Sequence, residues 1–340
     1  MAYLILFFLV VITAKFKSKI VIPVLTIICF AILSTYNDNL PDRTYYYLYY
    51  HSLEVLKNEF EMGYYLLNKE FFLHGFDFYS FLLTVFLFCY TAIFLVSNKL
   101  GEKSRFTLIL YGIFPFFINL CQIRTMIAVT ITYCALLVLK KETIRSIIVY
   151  TVLILVAAQF HSSSYIFLLF AVLVCWKPRY LEKIIFIATF ILVLGVNVLR
   201  SYLVELFPEW TKLEVWTSSK TEGSFMIVFL VNLIWFYLFH KFKKRDIKNN
   251  EQNDLSFYYN VTLVSFLFLP FISFSLQFLR LYRAIIMINY MGMAAKYKEV
   301  KGYSAKRIGD IGLFVLMMII LIILDEWSII GIVLNENSVL

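Results

Sequence analysis

Three arginines, two carboxylates and a histidine carry polar chemistry where this apolar chain otherwise has little of it. Arg124 opens a hydrophobic run in CQIRTMIAVTITY, Arg280 and Arg283 open another in LRLYRAIIMINY, and His161 closes a third in QFHSSS. Asp42 and Glu61 lie in a long, tyrosine-rich connection between two such runs. A guanidinium grips carboxylate or phosphate through parallel N–H bonds, so three arginines at one depth suit a diphosphate. A carboxylate or imidazole can take the proton of a hydroxyl. The candidate bases are Asp42, His161 and Glu61, in that order. An ion pair with a loop acid stands beside the ligand reading for each arginine, and His161 reads equally as a capping or core histidine.

Other chemistries find no support. His51, His74 and Asp77 lack the HxxH or HxH spacing of a metal site, so no metal is expected. No Walker sequence, GxGxxG or GxSxG occurs, which removes nucleotide and serine-hydrolase chemistry and leaves no cofactor to expect. Cys29, Cys89, Cys121, Cys134 and Cys175 all sit in apolar runs without CxxC spacing and read as buried free thiols.

The elements that must position these groups are membrane helices. The 340 residues are 61% hydrophobic and only 16% charged, with 35 Phe and 24 Tyr, more apolar surface than a soluble fold can hide. The pattern reads as an all-α polytopic bundle of twelve helices, at 2–14, 20–35, 78–97, 106–121, 124–139, 146–160, 163–176, 184–203, 225–240, 256–273, 280–295 and 308–324. The first run has no basic residues before it and Lys15 after it, the reverse of a cleaved signal, so it reads as retained. Basic clusters recur in alternate connections, at 15–19, 98–105, 140–145, 177–183, 241–255 and 296–307, which places those on the cytoplasmic side. The formal charge of +9 is therefore topological and argues against nucleic acid as a partner. It also puts Asp42, Glu61, Arg124, His161, Arg280 and Arg283 together at the outer side.

Two outer connections are long, 36–77 and 204–224. The first reads as helix after Pro41, with Asp42, Tyr46, Tyr49, Tyr50 and Glu54 on one face and Glu61, Tyr64, Tyr65 and Asn68 grouped on a second helix. Tyrosines interleaved with acids suit sugar, through ring faces and carboxylate acceptors, so Tyr46, Tyr50, Tyr64 and Asn68 are candidate binding residues. An aromatic belt at headgroup level is the other reading.

PDRTYYYLYY (41–50), FEMGYYLLN (60–68), QIRTMIA (122–128), QFHSSS (159–164) and LRLYRAIIMINY (279–290) together resemble the EpsG-like polysaccharide polymerases, a Wzy-type group of bacterial membrane proteins. Related sequences often carry Gly before the first-loop Asp, where this chain has Pro41. The resemblance implies a single membrane domain, GT-C-like in architecture, in the bacterial cytoplasmic membrane. It implies polymerisation of undecaprenyl-diphosphate-linked repeat units at the outer face. Arg124, Arg280 and Arg283 would hold the diphosphate, and a chain-length regulator and a flippase would be partners. A flippase for lipid-linked sugars and an outer-face acyltransferase using His161 are the alternatives. Scarce Gly and Pro, and few charges at mid-span, weigh against translocation.

The orientation predicts that single cysteines placed in 36–77 and 204–224 react with an impermeant thiol reagent in intact spheroplasts. Labelling of 241–255 instead would invert the topology.

Overall fold

A computed structural model describes residues 21–38, 40, 42–99, 104–175, 178–195, 198, 202, 222–249, 255–272, 279–297 and 305–326. The expected span at 2–14 and nearly all of 204–224 lie outside the described residues. Among the described residues the chain is helical, without strands. The elements are α1 (Val21–Thr35), α2 (Arg43–Tyr50), α3 (Leu53–Glu59), α4 (Met62–Leu73), α5 (Phe78–Lys99), α6 (Ser104–Ile113), α7 (Phe116–Cys121), α8 (Ile123–Leu139) and α9 (Ile144–Ala158). A 3-10 helix (Ser162–Ala171) runs into α10 (Val172–Cys175), followed by α11 (Pro178–Leu194), α12 (Glu222–Asn249) and α13 (Leu255–Val264). A 3-10 turn (Ser265–Phe268) joins α13 to α14 (Leu269–Ile272), and α15 (Leu279–Tyr297) and α16 (Ala305–Leu321) complete the set.

Phe78–Asn98, Met226–Lys244 and the helical stretch Leu255–Ile272 are long and apolar enough to cross a membrane. Val21–Thr35, Ile123–Leu139, Ile144–Ala158, Ser162–Ala171 and Gly309–Leu324 are apolar but shorter. Some expected spans are segmented. The run at 106–121 is two helices, because Pro115 has no N–H to continue the ladder of α6. The run at 163–176 is mostly 3-10 helix, which rises about 2.0 Å per residue and so reaches further than an α-helix of equal length. The 28 residues of α12 span about 42 Å, enough for the hydrocarbon core and the basic tail beyond it.

The chain forms two compact units, described in turn. The first comprises 1–168 with 293–298 and 325–340, the second 169–292 with 299–324. In the first unit α8 packs on α9 and α5, and α1 packs on α5. Ala128, Thr132 and Ala135 form the expected small-residue stripe and are buried. Phe30, Tyr90, Tyr111 and Phe116 make one ring cluster, with the Phe30 and Phe116 centroids 4.6 Å apart. The Ser34 and Tyr90 hydroxyls bond at 2.7 Å, and the Asn119 amide donates to the Tyr111 hydroxyl at 3.0 Å. The opposite face of α9 exposes Ile144, Ile148, Val152 and Val156 at four-residue spacing, an apolar stripe that only lipid or another helix can cover. Cys29, Cys89, Cys121 and Cys134 are free thiols.

In the second unit α12 packs on α13 and α16. Polar side chains tie the helices: the Tyr282 hydroxyl donates to Asn232 at 2.5 Å, Ser265 meets the same amide oxygen at 2.8 Å, and Thr262 pairs with Asn289 at 2.8 Å. A cavity of about 590 Å³ is lined by Phe186, Phe190, Met226, Phe229, Leu233 and Phe266, among others. Gly292 of α15 lets the helix approach two rings; a Cβ there would lie 2.7 Å from Phe239 and 2.8 Å from Tyr258. We therefore expect Gly292→Val to destabilise the purified protein by about 1–3 kcal/mol through overpacking. An unchanged melting temperature would show that these rings yield freely.

Candidate functional site

The long connection at 36–77 folds as three helices rather than two. α2 stops at Tyr50 and Glu54 belongs to α3, so the single face expected for Asp42, Tyr46, Tyr49, Tyr50 and Glu54 is split. The third of these helices, α4, docks on the end of α9. Its first turn leaves N–H groups without partners inside the helix. One of them, on Tyr64, donates to the Gln159 carbonyl at 3.2 Å, at the C-cap of α9. Gly63 makes this approach possible: a Cβ would stand 2.7 Å from the Gln159 Cβ and 2.8 Å from its carbonyl oxygen.

That docking carries Glu61, just before α4, onto two separate elements. Its Oε2 accepts from the Arg124 Nη1 at 2.6 Å, and its Oε1 accepts from the Ser162 amide at 3.0 Å. The Arg124 guanidinium lies over the Phe60 ring, 4.2 Å from the centroid, and hydrogen-bonds to Tyr46. Burial raises the proton affinity of Glu61, but Arg124, the Ser162 amide and His161 outweigh it and hold the carboxyl below its usual range. Glu61 is thus ionised, well held and weakly basic. Of the arginine readings open in the sequence, Arg124 has a loop-acid ion pair.

His161 is buried beside this pair. Its Nδ1 accepts from the Ser163 amide at 3.3 Å and contacts the Ser163 hydroxyl at 2.6 Å. The Nδ1 edge of the ring is thus engaged by its own following turn. Asp42 is exposed at the N-cap position of α2, without a side-chain capping bond.

Tyr46, Tyr50 and Tyr64 face inward, and Tyr64 is 1% exposed. The Tyr50 hydroxyl donates to the Phe76 carbonyl at 2.8 Å, and the Asn68 amide donates to the Tyr64 carbonyl at 2.7 Å. Burial pushes the Tyr64 hydroxyl far above its usual range and the Tyr50 hydroxyl up to about 12. Stacking on sugar needs an open ring face, and the open rings of this connection are instead Tyr36, Tyr45 and Tyr47. Arg280 and Arg283 lie in the first turns of α15 in the second unit, Arg280 half-buried and Arg283 buried. Arg43, Phe60, Gly63, Gln159 and Ser162 were missed as site-builders. Arg43 carried a signal, since an outer arginine runs against the charge bias; the others act through backbone or ring geometry that residue type does not reveal.

The sequence model of the EpsG family matches residues 41–330. Among curated proteins and among solved structures, nothing matches.

Two outcomes follow from the docking. Gly63→Ala is expected to lower stability by about 1–3 kcal/mol and to reduce activity, because α4 must lift off Gln159; full activity at normal stability would discount the close approach. The Glu61 carboxyl is depressed in the fold, so its contribution is complete above the ordinary glutamate value of about 4.3 and is lost as pH falls through the depressed value. Melting temperatures from neutral to acid pH should fall more steeply for the wild type than for Glu61→Gln. Parallel curves would remove Glu61 as a titrating tie.

Proposed function

Because the chain belongs to the EpsG family, we propose that it polymerises lipid-linked oligosaccharide repeat units at the outer face of the bacterial cytoplasmic membrane. The family supplies a role in polysaccharide biosynthesis; the substrate, the undecaprenyl diphosphate linkage, twelve membrane passes and the outer-face chemistry are our reading. The observation that carries it is the ordered outer connection. α2 to α4 form a helical layer tied by Glu61 to Arg124 and Ser162, built as a fixed platform rather than a loose loop.

In the transfer, a sugar hydroxyl of the acceptor unit attacks the anomeric carbon of the chain held on diphosphate. The new glycosidic C–O bond forms as the bond to the diphosphate breaks, and the leaving diphosphate takes the electron pair. A base accepts the hydroxyl proton. Asp42 suits this task best: it is exposed, whereas Glu61 is committed to Arg124 and His161 is buried with its Nδ1 engaged by Ser163. Glu61 and His161 then position the platform. Arg124, Arg280 and Arg283 are proposed to offset negative charge on the substrate, Arg124 while paired to Glu61. Exposed Tyr45 and Tyr47 are proposed as sugar platforms. The aromatic cavity of the second unit is of a size and polarity to take part of a polyprenyl chain. A chain-length regulator and a flippase would act beside it.

The test is a null strain complemented with wild type or Asp42→Asn, with surface glycans separated by size. Single units outside the cell and no ladder are expected in the null strain and in Asp42→Asn. Loss of all surface glycan, with lipid-linked units retained inside, would assign a flippase instead.

A further inference from the structure

Arg43 stands apart from the arginines considered so far. It opens α2 and is only 4% exposed. Its Nη2 donates to the Ser34 carbonyl, one of the last carbonyls of α1, as a basic side chain does at a helix C-terminus. Its Nη1 is buried and has no hydrogen-bond partner. The acid within electrostatic range of it is Asp38, which is exposed and accepts from the Tyr79 hydroxyl at 3.1 Å. A buried guanidinium with an idle nitrogen is costly unless something anionic completes it.

Its surroundings point the same way. The Tyr64 hydroxyl lies within electrostatic range of both Arg43 and Arg124. Buried Arg43 and partly buried Arg124 therefore both act on one tyrosine, and among the described residues Glu61 pairs with Arg124. Arg124 holds a carboxylate at 2.6 Å, whereas Arg43 has only the field of the exposed Asp38 and, among the described residues, no hydrogen-bond partner for its Nη1.

We propose that Arg43 is a substrate-binding residue of this unit, whose guanidinium receives a phosphate oxyanion of an isoprenoid diphosphate beside Tyr64. This rests on the polymerase reading above and assigns an anion contact to a residue other than the three arginines named there. The Nη1 atom is covered, so a side-chain shift precedes contact, and its energy is carried in the apparent affinity. A phospholipid headgroup offers the same oxyanion chemistry, and the experiment separates the two.

The test is binding to the purified full chain in detergent, followed by ligand-induced thermal stabilisation. Farnesyl diphosphate, inorganic pyrophosphate and phosphatidylglycerol serve as probes. Wild type should be stabilised by both diphosphates and not by phosphatidylglycerol. Arg43→Lys, which keeps the charge but loses the fork, should bind the diphosphates about tenfold more weakly or worse, and Arg43→Gln should not bind them. Unliganded melting temperatures separate this from loss of the α1 cap, and if Arg43→Gln does not fold, Arg43→Lys decides. Diphosphate binding unchanged in Arg43→Lys overturns the proposal, as does equal stabilisation by phosphatidylglycerol. Ladder formation in a strain carrying Arg43→Lys, together with none in the null strain, would remove Arg43 while leaving the polymerase reading intact.

Discussion

The arrangement of the connection at 36–77 depends on where one carboxylate is held. Glu61 spends both oxygens on parts of the chain far apart in sequence, the guanidinium of Arg124 and the amide of Ser162. Charge-assisted bonds of this kind are worth about 1.5–3 kcal/mol each, and partial burial shields them from solvent screening. Removing one partner leaves the other charge partly buried and alone, so the tie is worth more broken than formed. Several side chains of the first unit gather around it. Phe60 lies under Arg124, His161 precedes Ser162, and Tyr46 and Tyr64 pack on Phe60.

The backbone prepares this tie. α4 turns its unsatisfied amides toward the C-cap carbonyl of α9, and the absent side chain of Gly63 lets the two helix ends touch. The N-terminal pole of one helix meets the C-terminal pole of another, which favours the contact further. At the other edge of the layer, Arg43 caps the end of α1 through the Ser34 carbonyl, and Ser34 itself bonds Tyr90 in the aromatic core. Helices α2 to α4 are thus anchored to the other helices of the first unit at two ends, by a carboxylate on one side and a guanidinium on the other.

Much of the fold was legible in the sequence, for physical reasons that also set the limits. Hydrophobic runs announce helices in lipid, and the small-residue stripe Ala128, Thr132 and Ala135 correctly marked a buried helix face. The break at Pro115 and the 3-10 course of Ser162–Ala171 were not read, because apolar composition is the same in a straight helix and a segmented one. At the site, Arg124, Glu61 and His161 were each singled out, and the structure gathers these three. Which way the tyrosines face was missed. Tyr46, Tyr50 and Tyr64 repeat with helical spacing, but periodicity does not say which stripe turns inward when a short helix lies between a bundle and water. Close packing through Gly63 and Gln159 is a backbone matter and leaves little trace in residue type.

The most direct measurement is a double-mutant cycle on Glu61 and Arg124, with polymer length and amount as the readout and melting temperature as the control. If the ion pair holds the platform, Glu61→Gln and Arg124→Gln each reduce output strongly, and the double variant is no worse than the poorer single one. If each residue acts for itself, the losses multiply. Multiplying losses, or full output from both single variants, would contradict the tie between α2 to α4 and the other helices of the first unit.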